Sequence, residues 1–186
     1  MASNHTKNAA ETDLATIGYL WDKLSPKTRN GVDVEQAKVL AKRGLISISN
    51  LLEEVILDNN KNLVKSNADG EDYTDKSDAK YLTARPRSNS ATNKNGDLVM
   101  VSRAVLPSKT ALKTKKGALR IFVTQIDPVK NTTNYRMFLL PYPKWKSLMT
   151  TAGIEIAFSC KTGELTASSQ KRWGQFEVKS IKELAA

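Results

Sequence analysis

Cysteine and histidine are nearly absent from this chain: Cys160 and His5 are the single examples of each. One cysteine cannot form an intrachain disulfide, and it cannot build a cysteine zinc site. One histidine, set in a polar N-terminus, rules out HNH-type nucleases, His/Cys zinc enzymes and the usual Ser-His or Cys-His triads. Any resident metal must therefore be held by oxygen ligands, which favours magnesium, with manganese as the other candidate. Walker sequences and Gly-x-Gly spacings are missing, so nucleotide hydrolysis is disfavoured. No run of 18 apolar residues exists, and no membrane span is expected. Residues 1–8 carry no apolar signal core, so the expected localisation is cytoplasmic. Residues 1–10 read as a disordered tail and 11–186 as a single domain.

Acidic residues are scarce in the second half. The 186-residue chain has a net charge of +10, unevenly spread. Residues 1–80 carry 11 Lys/Arg against 13 Asp/Glu, a net −2. Residues 81–186 carry 18 against 6, a net +12. A basic half suits a polyanion, because each phosphate contact releases counterions. The expected partner is nucleic acid, double-stranded DNA first.

Hydrophobic spacing divides the chain into helices followed by strands. A helix is expected over 11–24, stopped by Ser25-Pro26. Asp33 with Gln36 reads as a capping box opening a helix through Arg43, closed by Gly44. A third helix runs from about Ser47 to Asp58, with Ile48, Leu51, Leu52, Val55 and Ile56 on its apolar face. Beyond Lys80 the pattern turns to strands, over 98–106, 118–126 and 135–140, with shorter ones at 154–159 and 176–178. Ile121-Phe122-Val123 and Phe138-Leu139-Leu140 read as strands buried on both faces. A short helix is expected over 144–150 and a last helical turn over 181–185. Residues 84–97 read as a polar loop. The fold class is α+β: N-terminal helices, then a mainly antiparallel or mixed sheet.

The chemistry concentrates in Gly70–Tyr81. Glu71, Asp72, Asp75 and Asp78 fall within eight residues, followed by Lys80. Packing carboxylates together costs free energy unless a cation neutralises them. The plain alternative is a solvated acidic turn. If 78–83 is a strand, Asp78 and Lys80 share a face. Carboxylates that hold a divalent cation, with an ammonium beside them to orient water and offset charge, suit metal-assisted phosphodiester cleavage.

An acid, a short gap, then Asp-x-Lys on a strand resembles the PD-(D/E)XK nuclease superfamily. The match takes Asp72 as first acid, Asp78 as second acid and Lys80 as the lysine. It covers roughly residues 45–83. The resemblance also implies a glutamate on the preceding helix, Glu53 or Glu54, with Glu54 preferred. No proline precedes Asp72, the gap is five residues, and the second acid is Asp. Glu71 and Asp75 therefore remain alternatives for the first acid. The resemblance implies a restriction-endonuclease-like core and a magnesium-dependent DNA endonuclease of restriction or phage type. Asp72 and Asp78 would be its metal ligands. Cutting both strands at a specific site calls for two sites, hence a homodimer on a two-fold target.

Basic residues downstream are candidate phosphate contacts: Arg85 and Arg87, then Lys109, Lys113, Lys115 and Lys116, with Arg120 on the following strand. Lys144-Trp145-Lys146 and Lys171-Arg172-Trp173 pair cations with an aromatic. The competing functional reading is a non-catalytic, basic nucleic-acid-binding protein.

Overall fold

The computed structural model describes residues 4–67, 72–75, 80–84, 87–104, 117–127, 132–148 and 154–186, with Lys80 and Arg87 described at the backbone. Four helices come first. The first, α1, spans Asn4–Trp21, so it begins inside the stretch expected to be a tail. Ser25-Pro26 opens a helix of its own: in α2, Pro26–Arg29, Ser25 is the N-cap and Pro26 occupies the first turn. Proline lacks only an N–H that the first turn leaves unbonded anyway. The capping box of Asp33 and Gln36 opens α3, Val34–Lys42. Ser47 caps α4, Ile48–Asn59, whose buried residues are Ile48, Leu51, Leu52, Val55 and Ile56.

Among the described residues, nine strands follow in two sheets. The larger has six strands in the order β1-β2-β3-β6-β7-β9. These are β1 Leu63–Lys65, β2 Tyr73–Asp75, β3 Lys80–Ala84, β6 Leu119–Asp127, β7 Thr132–Leu140 and β9 Glu177–Val178. Neighbours run antiparallel except β3 and β6, which are parallel. The sheet is therefore mixed, and the fold is α+β. The smaller sheet, β4-β5-β8, contains β4 Arg87–Thr92, β5 Leu98–Ala104 and β8 Ile154–Ser159.

Part of the expected 84–97 loop is thus a strand. β4 pairs with β5 from Arg87↔Arg103 to Thr92↔Leu98. The polar run hides it because Ser, Asn and Thr fill it, with Ala91 the single apolar residue. Asn93 builds the connecting turn: its Oδ1 accepts from the backbone N–H of Asn95 and of Asp97, each at 2.9 Å, and Gly96 takes φ 83°. Such an Asx turn needs both residue types in place.

The large sheet is covered on both faces. On one, Phe122, Met137, Leu63 and Tyr73 pack with Ile17, Leu20, Trp21, Leu52, Val55 and Ile56 of the helices. On the other, Leu119, Ile121, Val123, Phe138 and Leu140 pack with Met100, Ile154, Ile156, Phe158 and Trp173. Three layers result: helices, six-stranded sheet, three-stranded sheet. This alternation of Phe122 against Ile121 and Val123 is what the continuous apolar run requires of a strand buried on both faces. Each large side chain so buried contributes about 1.5–3 kcal/mol.

Among the described residues, three further short helices follow: α5 Tyr142–Leu148, α6 Ala167–Trp173 and α7 Ile181–Ala185. A 3-10 turn, Gly174–Phe176, joins α6 to β9. Helix α6 closes the outer edge of β8. Trp173 Nε1 donates to Glu155 O at 2.8 Å, Ala157 N donates to Ser169 Oγ at 2.9 Å, and Thr166 N donates to Ala157 O at 2.9 Å. An edge strand whose backbone is bonded this way offers no ladder to another chain.

Candidate functional site

Helix α4 hands the chain to β1, and the pair positions the first carboxylate. Glu53 lies on α4 with its side chain only 19% exposed, and Lys65 at the end of β1 approaches it at 3.7 Å. Leu63 and Lys65 share a strand face by alternation. Burying Leu63 therefore also turns Lys65 toward the helix layer. Glu54, the next residue along α4, is exposed. Of the two, Glu53 and not the preferred Glu54 is the glutamate that the structure places against β1. Periodicity left the two equivalent, and only the docking of β1 on α4 separates them.

Asp72 sits at the bend just before β2. Ser66 N donates to its carbonyl at 3.0 Å, extending the β1–β2 ladder by one step. The pKa of Glu53 is raised, first by burial and then by the negative charge of Asp72; Lys65 pulls it the other way. Two acids from different elements therefore stand within electrostatic reach, with one ammonium beside them.

The register of the hairpin places the lysine. Thr74 is opposite Lys80 and Tyr73 opposite Tyr81. One further step puts Asp72 level with Leu82, so positions 72 and 80 are diagonal neighbours across the hairpin. Such diagonals lie about 7–8 Å apart, within reach of a long side chain. Tyr73 is buried toward the helices, so position 80, paired with Thr74, belongs by alternation to the face of the smaller sheet. Asp72 is the junction: Glu53 and Lys65 lie on its helix side, and position 80 across the hairpin. Asp75 is half-buried on the alternate position of β2. Asp78, Glu71, Arg85, Lys109, Lys113, Lys115 and Lys116 lie outside the described residues. Among the described residues, no group of three His, Cys, Asp or Glu side chains is placed to hold a metal ion.

Arg120 is a second correction. It was expected to touch nucleic acid, but it is fully buried. Its Nε donates to Leu184 O at 2.6 Å, and its Nη2 to Ala185 O at 3.2 Å and Ala186 O at 2.9 Å. Asn60 Nδ2 also donates to Ala185 O, at 2.6 Å. The guanidinium thus caps the carbonyl end of α7, where the helix dipole favours a cation. The sequence carried a signal for this. Arg120 alternates with Leu119 and Ile121 and shares the face of Phe122, a core face.

Other basic residues remain on the surface. Lys171 and Arg172 on α6 are exposed, while Ser169 and Trp173 on its other side are buried. Lys144 on α5 stands 5.5 Å over the ring of Phe176. The neighbouring carboxylates Glu164 and Glu177 are both engaged by Arg136, at 3.3 Å and 3.2 Å. No family model, curated protein or solved structure matches this chain. Among the described residues, no helix is long and apolar enough to cross a membrane.

Proposed function

We propose that this protein is a metal-dependent endonuclease that hydrolyses DNA phosphodiester bonds, built on a restriction-endonuclease-like core. The observation that carries the reading is the effect of Asp72 on Glu53. A half-buried carboxylate whose ionisation is opposed by burial and by a second carboxylate from another element is relieved by a shared cation. Their oxygen donors fit magnesium, and manganese by the same chemistry. The order of elements supports the core assignment: a helix bearing a glutamate, then an antiparallel hairpin with Asp72 just before its first strand and Lys80 at the start of its second.

In this reading Asp72 and Asp78 hold the metal, and Glu53 completes or orients the set. When bound, the metal polarises the phosphate and lowers the pKa of a water. Lys80 orients the attacking water or offsets charge at the phosphate. Arg85, Arg87, Lys109, Lys113, Lys115 and Lys116 hold the backbone of the substrate. Cleavage of both strands at one site would need a homodimer.

The test is incubation of a supercoiled plasmid with the protein, with magnesium and with a chelator. Nicked or linear product that requires magnesium supports the proposal. Binding without any cleavage in magnesium or manganese would sink it, leaving a non-catalytic nucleic-acid-binding protein.

A further inference from the structure

The large sheet sets a common level for residues far apart in sequence. Leu82, Leu119 and Leu140 are register partners across β3, β6 and β7. Ala84, Ile121, Phe138 and Glu177 form the next level inward, across β3, β6, β7 and β9. Lys80 precedes Leu82, α5 follows Leu140, and the 3-10 turn precedes Glu177. The start of β3, the start of α5 and the C-terminal end of α6 therefore emerge at one end of the sheet. Position 80 also belongs to the face on which Trp173 of α6 packs.

The side chains displayed there are cationic. Lys171 and Arg172 point away from the buried face of α6, and neither makes an ion pair with a described residue. Lys144 joins them through Phe176, which lies in the turn directly after α6. Of the nearby carboxylates, Glu164 and Glu177 are bonded to Arg136, and Glu155, exposed on β8 beside Trp173, offsets one of the three cations. This leaves a positive ridge running away from the candidate metal site.

Its distance fits a nucleic-acid backbone. From β3 to β9 there are three strand spacings of about 4.8 Å, roughly 14 Å. Measured along a duplex axis, that spans about four phosphates of one strand, at a rise of roughly 3.4 Å each. We infer that Lys144, Lys171 and Arg172 form a phosphate track that holds the nucleic-acid backbone roughly 14 Å to one side of the cleavage site. The placement of that site rests on the nuclease reading; the track itself is a binding surface and is tested without cleavage.

The test is binding of a labelled DNA duplex in chelator, measured across a salt series. The wild type is compared with Lys144→Ala/Lys171→Ala/Arg172→Ala, and with Lys38→Ala/Lys42→Ala/Arg43→Ala on α3 as a charge-matched control. Three lost phosphate contacts lower the salt slope by about 2.7. Between about 50 and about 200 mM salt, the wild type should then lose about 40-fold more affinity than the α5–α6 variant. The α3 control should keep the wild-type slope. An unchanged slope in the α5–α6 variant, or an equal fall in the control, overturns the track. Wild-type protein that binds no DNA overturns both the track and the nuclease reading. Wild-type protein that binds with the expected slopes but never cuts overturns only the nuclease reading.

Discussion

The charge of Asp72 at the foot of β2 adds to burial in raising the pKa of Glu53 on α4. The sign of its effect on stability follows. Below the ordinary glutamate value of 4.5, Glu53 is protonated in both the folded and unfolded chain and costs nothing. As pH rises through that value, the unfolded chain releases its proton first, and the folded state loses stability until its own raised pKa is passed. Glu53→Gln should therefore unfold at higher temperature than the wild type at neutral pH and match it in acid. Magnesium should raise the melting temperature of the wild type more than that of the variant. Thermal unfolding across a pH series, with and without magnesium, reads both effects.

Asp58 titrates in the opposite sense. Burial raises its pKa, but bonds from the Ser25 backbone and from the Thr28 and Ser25 hydroxyls outweigh it, so the net shift is downward. Thr28 Oγ1 donates to Oδ1 at 2.8 Å and Ser25 Oγ at 3.1 Å. Its stabilising contribution is present above the ordinary value of 3.8 and is lost as pH falls through the depressed folded value. Asp58→Ala should cost about 1 kcal/mol at neutral pH. The gap to the wild type should close in strong acid, as followed by denaturant titration.

Arg120 acts on the fold and not on the substrate. Arg120→Met leaves the buried Leu184 carbonyl without its donor, while Asn60 still donates to Ala185, at a cost of up to about 3 kcal/mol. For a chain of this size that lowers the melting temperature by up to about 12 °C. The DNA salt slope of the folded variant should stay at the wild-type value. A slope reduced by about 0.9 would instead mean a lost phosphate contact.

Lys80 is paired with Thr74 and stands diagonal to Asp72. Lys80→Ala should lower turnover by about 100-fold while leaving duplex affinity nearly unchanged, the scale of a positioned acid–base or electrostatic group. Single-turnover cleavage and equilibrium binding separate the two quantities.

The helices were legible because their signals are local. The Asp33/Gln36 box, the Ser47 cap and the spacing of Leu51, Leu52, Val55 and Ile56 each lie within one element. Phe122 between Ile121 and Val123 marked a strand covered on both faces. What stayed hidden depends on pairing between distant segments. Strand β4 has no apolar alternation, so only its ladder with β5 defines it. Glu53 and Glu54 are equivalent on an isolated helix, and the docking of Leu63 and Lys65 distinguishes them. Arg120 looks like a surface cation until α7 brings its carbonyls to β6. Asp72 and Lys80 were legible as residue types, but their diagonal relation is set by the hairpin register.

The most direct test of the account is single-turnover cleavage of a labelled duplex in magnesium by the wild type and by Asp78→Ala. The wild type should cut, and Asp78→Ala should not, while binding the duplex with nearly wild-type affinity and unfolding at a similar temperature. Cleavage at the wild-type rate by Asp78→Ala would contradict the assignment of the metal site.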